Sequence, residues 1–417
     1  MSRLEKVDPQ VARIIQAEQQ RQAETLEMIA SENHVSASVL EAMGTVLTDK
    51  YAEGYPGRRW YCGCGNMDSV EQLAIERAQR LFRAEHANVQ PHSGTSANLA
   101  VYLATLKPGQ KIMGMRLDQG GHLSHGLELN LSGKCYKVVS YGVRRDTEML
   151  DMDEIRRSAL AERPDVLVVG ASAYSRTIDF AAFGAIAREA GCLMLSDIAH
   201  IAGLVVGGVH PDPVPHSHFV TTTTHKTLRG PRGGVILCHK QYAKAVDAAI
   251  FPGLQGGPLM HIVAAKAVCF EEAMAPSFKS YAAAIVANAK ALAAALLEKG
   301  WRLVSGGTDN HLLTIDLRSR FADLTGRAAG DWLAGAGIIA NKNAIPFDPR
   351  PPIDASGVRL GTPALTTRGM GAKQMKQIAG WIDRVLTSGG DEGKIRKVHQ
   401  AVLELCREFP IPSNGYN

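Results

Sequence analysis

A lysine at the end of an extended, β-branched run is a candidate nucleophile. The stretch Val220-Thr-Thr-Thr-Thr-His-Lys-Thr-Leu-Arg-Gly-Pro-Arg-Gly-Gly234 carries one, Lys226, held between His225 and Thr227. β-Branched residues favour a strand, and the Gly and Pro that follow cut it off in a tight loop. Most loop lysines are simply solvated. Here four threonine hydroxyls, an imidazole and two arginines, Arg229 and Arg232, crowd the position, which predicts a polar, cationic pocket. Burial and neighbouring cations both lower a lysine pKa. The neutral amine that results is what Schiff-base chemistry with an aldehyde requires.

Other residues carry chemistry of their own. Ser93, Gly94 and Thr95 open a helix. Small residues there leave backbone N–H groups free at the positive end of the helix dipole, a seat for phosphate, although an ordinary helix cap reads the same way. Asp197 reads as a helix cap or a turn carboxylate. Arg359 is either a salt-bridge partner or a bidentate grip on a substrate carboxylate. Glu53 sits in Tyr51–Gly65, a loop rich in glycine and aromatic residues, as functional loops often are.

The elements that must position these residues alternate. Strands are expected at 110–115, 136–140, 166–170, 193–196, 218–222 and 234–238, with helices at 70–82, 151–161 and 181–190 between them. Such alternation implies a mostly parallel sheet covered on both faces, with ligands at the carboxyl ends of its strands. Asp197 and Lys226 each fall at such an end, and His122 follows one through a short loop. The N-terminal residues 3–30 read as helix, broken at Ser31-Glu-Asn33 and restarted at Ser36 or Ser38. A long Ala/Leu-rich helix from Ser277 to about Lys299 leads to further strands at 311–317, 338–340 and 358–360. Helices at 325–336, 373–386 and 393–408 accompany them.

Composition narrows the class. The 417 residues are 45% hydrophobic and 21% charged, ordinary for a globular chain with a large core. The net charge of +5 is spread out and implies neither nucleic acid nor membrane as a partner. Seven scattered cysteines argue against a disulfide framework. Cys62-Gly-Cys64 is the one close pair, and no second pair completes a zinc set, so no metal is expected. No signal-peptide segment and no membrane-spanning run is visible, which favours the cytoplasm. No GxGxxG or Walker-type loop occurs, so nicotinamide and nucleoside-triphosphate readings lose their main support.

The Lys226 segment resembles, nearly residue for residue, the pyridoxal-phosphate lysine segment of serine hydroxymethyltransferases. Five more stretches resemble that family in order: Tyr51-Ala-Glu-Gly-Tyr-Pro-Gly57, Gln90-Pro-His-Ser-Gly94, Asp197-Ile-Ala-His-Ile-Ala-Gly203, Phe251-Pro-Gly-Leu-Gln-Gly-Gly-Pro258 and Ser305-Gly-Gly-Thr-Asp-Asn-His311. The likeness runs from Leu26 to about Pro412. It implies an α/β protein of pyridoxal-phosphate fold type I, aspartate aminotransferase-like. A large, mostly parallel seven-stranded sheet domain (51–279) would follow a helical arm (1–50) and precede a smaller α+β domain (280–417).

The resemblance also implies roles. Lys226 would hold pyridoxal 5'-phosphate as an imine, with Asp197 at the ring nitrogen, His122 stacked on the ring and His200 supporting that region. Ser172, His225 and Arg232 would line the pocket, and Ser93, Gly94 and Thr95 would hold the phosphate. Gly256 and Gly257 would come from the other subunit of a homodimer with shared active sites, dimer against tetramer being left open. Arg359, Ser31 and Tyr61 would bind the amino acid. Glu53, with Tyr51, Tyr61 and His225, would serve catalysis. Glu53, Trp60, Leu117, Gly120, Gly121 and Leu123 would face tetrahydrofolate. The implied reaction is reversible serine–glycine interconversion with transfer of the hydroxymethyl group to or from tetrahydrofolate.

The match departs locally. The family commonly has Arg-Tyr-Tyr-Gly-Gly-x-Glu where this chain has Arg59-Trp-Tyr-Cys-Gly-Cys-Gly65, and Ala-His where it has Asp118-Gln119. The stretch Gly126-Leu-Glu-Leu-Asn130 stands where Gly-Ser-Pro-Val-Asn is common. These changes cluster near the folate and substrate mouth. They leave open a hydroxymethyltransferase or aldolase acting on α-methylserine or another β-hydroxy amino acid, with altered folate use.

Overall fold

The computed structural model describes residues 2–412. Met1 of the expected arm and 413–417 of the expected C-terminal domain lie outside them. The large sheet has seven strands: β1 (His86–Asn88), β2 (Lys111–Met115), β3 (Lys137–Tyr141), β4 (Val166–Val169), β5 (Leu193–Asp197), β6 (Phe219–Thr223) and β7 (Gly234–Cys238), in the order β1-β7-β6-β5-β4-β2-β3. Only β7 runs against the others.

The period of two along each strand sorts side chains to opposite faces. Met113, Leu167, Val169, Met194, Val220 and Val235 enter one core. Ile112, Val166, Val168, Leu195, Phe219 and Ile236 enter another, against Ala97, Val101 and Tyr102 of helix Gly94–Thr105. Both faces are thus covered, which is why these strands read as continuous apolar runs. Local caps set the helix starts. Asp151 accepts from the N–H groups of Asp153 and Glu154, Asp179 from Ala182, and Ser36 from Val39.

A second, antiparallel sheet holds β8 (Arg302–Leu303), β9 (Leu312–Asp316), β10 (Asn341–Asn343) and β11 (Gly357–Gly361), ordered β8-β9-β11-β10. Its register sets Arg359 of β11 between Thr314 and Asn341. Helix Pro276–Glu298 serves both cores, with Phe278, Ala282 and Ile285 in one and Leu292, Ala293 and Leu296 in the other. The expected boundary at 279/280 falls inside this helix. Its 23 residues, with a window of mean hydropathy 1.5, are long and apolar enough by length and composition to cross a membrane, contrary to expectation. Small alanines produce that value, and its apolar face packs within the fold.

The N-terminal segment also departs from expectation. Helices cover Arg3–Val7 and Pro9–Glu24, but Leu26–Glu27 is a strand paired in parallel with Ile338–Ile339. Buried Arg368 fastens the arm further, donating to the carbonyls of Thr25 and Ala23 and, from the same guanidinium, to Cys406 and Phe409. Val7, Ile14 and Ile15 remain exposed on the outer side of the arm.

Candidate active site

The carboxyl ends of β5 and β6 and the start of helix Gly94–Thr105 enclose a cavity of about 210 Å³. Asp197, the last residue of β5, lies on its wall. The Oδ2 atom accepts from Asn98 Nδ2 at 2.8 Å and His125 Nε2 at 2.9 Å, and Oδ1 accepts from the Ala199 N–H at 3.1 Å. Burial raises the carboxyl's pKa, but the hydrogen bond and charge of His125 outweigh it and hold the group well below the usual carboxylate range. Asn98 is itself fixed by Thr221 Oγ1 at 2.5 Å and by Ser124 Oγ at 2.9 Å. His122 faces the same cavity, its Nδ1 2.7 Å from Ser124 Oγ. His122, His125 and Asp197 offer ligand atoms within 4.8 Å of one another. Asp197 Oδ2 already accepts two hydrogen bonds, which makes this a poor vacant metal set.

Lys226 opens into the cavity three residues past β6. Burial, reinforced by Arg359 and Arg232 and opposed by Asp197, pushes its amine down to about 8. The expected cationic environment is therefore present, with one arginine exchanged. Arg229 turns away at φ +60° and lies over the Tyr281 ring, 4.8 Å from its centroid, and distant Arg359 takes its place. Of the four threonines, Thr223 lines the cavity. Thr221 bonds Asn98, Thr222 the Thr223 carbonyl and Thr224 the Pro231 carbonyl.

The cavity's opposite end is built from Ser93, Gly94 and Thr95 with His225 and Arg232. Ser93 caps the 12-residue helix, its Oγ accepting from Ser96 N at 3.1 Å. A Cβ on Gly94 would sit 2.8 Å from Thr223 Cγ2, so the close approach of helix and strand requires glycine there. His225 Nδ1 is buried without a hydrogen-bond partner. Ala171, Ser172, Ala199 and His200 complete the wall. Behind it His311 Nε2 lies 3.3 Å from His200 Nδ1.

Burial lowers the pKa of four of these imidazoles: His122 to about 4, His225 and His311 to about 3, and His200 well below its ordinary value. Each folded-state value is below the unfolded one, so the unfolded chain binds more protons as pH falls below about 6.5. Stability from these groups is complete above that pH and is lost on acidification. Glu27, raised to about 8 by burial, works the other way as one group against four. The cofactor-free protein should lose about 2 kcal/mol or more between pH 7.5 and pH 5. Urea midpoints at the two pH values check this, and equal midpoints would contradict it.

Arg359, on the second sheet, is not part of the cavity wall but is bonded to it at Ser172. Its Nη1 donates to the Ser172 carbonyl at 2.6 Å and its Nε to Asn341 Oδ1 at 3.2 Å. Burial pushes the guanidinium down to about 10, still charged at neutral pH. The Ser31 segment runs beside that strand end. The Gly361 N–H donates to the Met28 carbonyl at 2.7 Å, and Asn33 Nδ2 donates to the Lys226 carbonyl at 3.0 Å.

A family model described as serine hydroxymethyltransferase matches residues 4–382 of the 417. The chain belongs to the serine hydroxymethyltransferase family. Its fold is accordingly pyridoxal-phosphate fold type I, and the seven-stranded α/β sheet is that architecture. The family comprises pyridoxal-phosphate-dependent hydroxymethyltransferases that use tetrahydrofolate and are generally oligomeric. The cavity fits that cofactor in chemical character. Free helix N–H groups, the unpartnered His225 Nδ1 and Arg232 suit a phosphate. The Asp197 carboxylate suits a protonated ring nitrogen, and the lowered Lys226 amine suits an aldehyde.

Other family-implied positions lie elsewhere in this chain. Among the described residues, the cavity wall includes none of Tyr51, Glu53, Trp60, Tyr61, Gly256 or Gly257. The glycines instead face the loop: a Cβ on Gly256 would be 3.0 Å from Glu53 Oε1, and one on Gly257 3.4 Å from the Tyr51 ring. Tyr51 and Tyr61 meet edge to face at 5.2 Å. Gly120 and Gly121 are buried, and a Cβ on Gly121 would lie 2.1 Å from the Met115 carbonyl, so this pair is needed for backbone packing. Leu117 and Leu123 are exposed nearby.

The serine hydroxymethyltransferase site also holds residues that sequence reading missed. His125 and Asn98 were legible only as a histidine three positions after His122 and as one asparagine in an apolar helix. Neither signal points to Asp197.

Proposed function

We propose that this chain interconverts serine and glycine, passing the hydroxymethyl group to or from tetrahydrofolate. The observation that supports this most is the buried Arg359 guanidinium at the Ser172 edge of the cavity shared by Lys226 and Asp197. A fixed, planar cation beside a lowered amine suits an α-amino acid, whose carboxylate it can grip bidentately.

Bound there, pyridoxal phosphate supplies an aldehyde that condenses with amines and a ring that accepts electrons. The protein's residues do the rest. Lys226, with its amine near 8, keeps a neutral fraction at physiological pH for attack and return. Asp197 holds a negative charge against the cavity, fixed by Asn98 and His125. Arg359 orients the carboxylate, and His122 covers the cavity. Glu53 moves the proton of the hydroxymethyl oxygen.

Glu53 acts from a second copy in this reading. The Tyr51–Gly65 loop packs on Gly256 and Gly257 of its own chain and is absent from its own Lys226 cavity. A homodimer with shared sites would bring it to the partner's cavity. Trp60, 76% exposed, with Tyr51 and Tyr61, also exposed, then offers aromatic faces to a pteridine. The residues at the departures 118 and 119 have local partners. Asp118 pairs with Arg116 at 3.0 Å, and Gln119 Oε1 accepts from the Val143 N–H at 2.8 Å.

The test is product formation by the cofactor-loaded protein. Glycine should form from serine only with tetrahydrofolate, and faster than alanine forms from α-methylserine. Folate-independent cleavage at the same rate would move the assignment to an aldolase. Preference for α-methylserine would move it to the altered acceptor.

A further inference from the structure

We infer that Lys266 is a buried positioning residue of the anion seat, and that the phosphate bound there is its counter-ion. The inference rests on the pyridoxal-phosphate reading above. Lys266 lies on helix Met260–Met274 and is 1% exposed. Its Nζ donates to three carbonyls, Val89 at 2.6 Å, Gly234 at 2.8 Å and Pro91 at 3.1 Å. An ammonium has three donors and no acceptor, and the site presents three acceptors. A neutral amine would turn its lone pair on one of those carbonyls. The charged form is therefore the one that fits.

A buried charge is costly unless something compensates it. Among the described residues no carboxylate forms an ion pair with Lys266. The acidic group acting on it is Glu71, which is already taken by Arg59 Nη2 at 2.6 Å and Gln90 Nε2 at 2.7 Å. Arg59 has a second partner, Asp68 at 2.8 Å, but that carboxylate is partly exposed to solvent, so among the fully buried groups two cations, Lys266 and Arg59, face the one carboxylate of Glu71.

The backbone that Lys266 holds is the seat itself. Val89 and Pro91 lead into Ser93 and Gly94, and Gly234 follows Arg232 by two residues. The Gly234 N–H donates to the Pro91 carbonyl at 2.9 Å, and a Cβ on Gly234 would lie 2.3 Å from the Ser93 carbonyl oxygen. A Cβ on Gly233 would lie 2.5 Å from Lys266 Cε. Lys266 thus ties both walls of the seat together from one layer behind, too far to touch a ligand. Its charge reaches the seat, since it helps to depress His225 and His92. Burial pushes Lys266 itself down to about 7, and a dianion in the seat would push it back up.

Two ligands separate this role from plain packing: pyridoxal 5'-phosphate, and pyridoxal, which lacks the phosphate. Their dissociation constants are measured by visible absorption on the cofactor-stripped full-length protein. Lys266→Met should weaken the phosphorylated ligand by roughly tenfold or more and leave pyridoxal within about twofold. Equal weakening of both would overturn the inference in favour of structural collapse, and no weakening would overturn it outright.

Wild-type protein gives a second reading should the variant not fold. Its preference for the phosphorylated ligand should fall as pH rises from 7 to 9, where the ligand's phosphate is already ionised. The other groups around the seat do not offset this over that range: guanidinium groups stay charged, His225 and His92, both lowered, stay neutral, and Glu71 and Asp68 are paired with Arg59. Lys226 acts on both ligands and cancels in the ratio. A preference constant over that range would overturn the inference. Failure of wild type to bind either ligand would instead remove the cofactor reading on which it rests.

Discussion

Lys226→Ala should lower turnover by about a thousandfold or more while leaving the protein at least as stable as wild type. The first half follows from the cavity: Lys226 is the lysine that lines it beside Asp197. The second half follows from burial. A lysine whose pKa has dropped from 10.5 to about 8 is destabilising at neutral pH, where the buried group must still be largely charged. Its backbone supports the turn, through bonds to Asn33 and Arg229, and alanine keeps both. Steady-state rates and a thermal melt of the cofactor-free protein decide the matter. Activity within tenfold of wild type would show that another group is the nucleophile. A fall of many degrees in Tm would show that Lys226 is structural.

Asp197→Asn should be nearly as damaging to turnover, again by about a thousandfold, and should also cost stability. Three donors converge on this carboxylate, two on Oδ2 and one on Oδ1. An amide has one oxygen and one NH₂. Whichever way it is placed, a donor faces a donor. If the oxygen takes the Oδ2 position, the NH₂ opposes the Ala199 N–H. If it flips, the NH₂ opposes Asn98 and His125. The cost of a buried unsatisfied group is about 1–3 kcal/mol. The chemical loss has a separate origin: the amide carries no charge to hold a proton on a ring nitrogen, so the electron-accepting power of the ring falls. Kinetics, together with the absorption spectrum of the bound cofactor, distinguish the two effects. A shifted spectrum in a variant that still binds the cofactor supports the electrostatic role, and an unchanged Tm contradicts the packing cost. A variant with normal spectrum and normal rate rules the electrostatic role out.

Much of this site was legible in the chain because its signals are local. Strand ends at Asp197 and Lys226 follow from short apolar runs cut by polar residues. The seat at Ser93–Thr95 follows from small residues opening a helix, a pattern contained within a dozen residues. Helix starts at Ser36 and Asp151 follow from caps that reach only two or three residues ahead. A window of that size contains the physics that decides them.

Other features have no local signal. Helix Met260–Met274, which carries Lys266, lies outside the sequence expectations. It is buried along much of its length, and a helix enclosed in this way shows no polar stripe. The strand at Leu26–Glu27 was read as helix because its partner, Ile338–Ile339, lies over three hundred residues away.

The same holds for the choice of Arg359 over Arg229. Arg229 is nearer to Lys226 in sequence, but its left-handed backbone aims it at Tyr281, whereas the register of the second sheet delivers Arg359 to Ser172. The partners of Asp197 are another such case, being 72 and 99 residues away at His125 and Asn98. Residue types, periodicities and caps act over one turn or one strand, so they name the groups that can do chemistry. Which of those groups meet depends on strand order and register, and these are set by packing among segments remote in the chain.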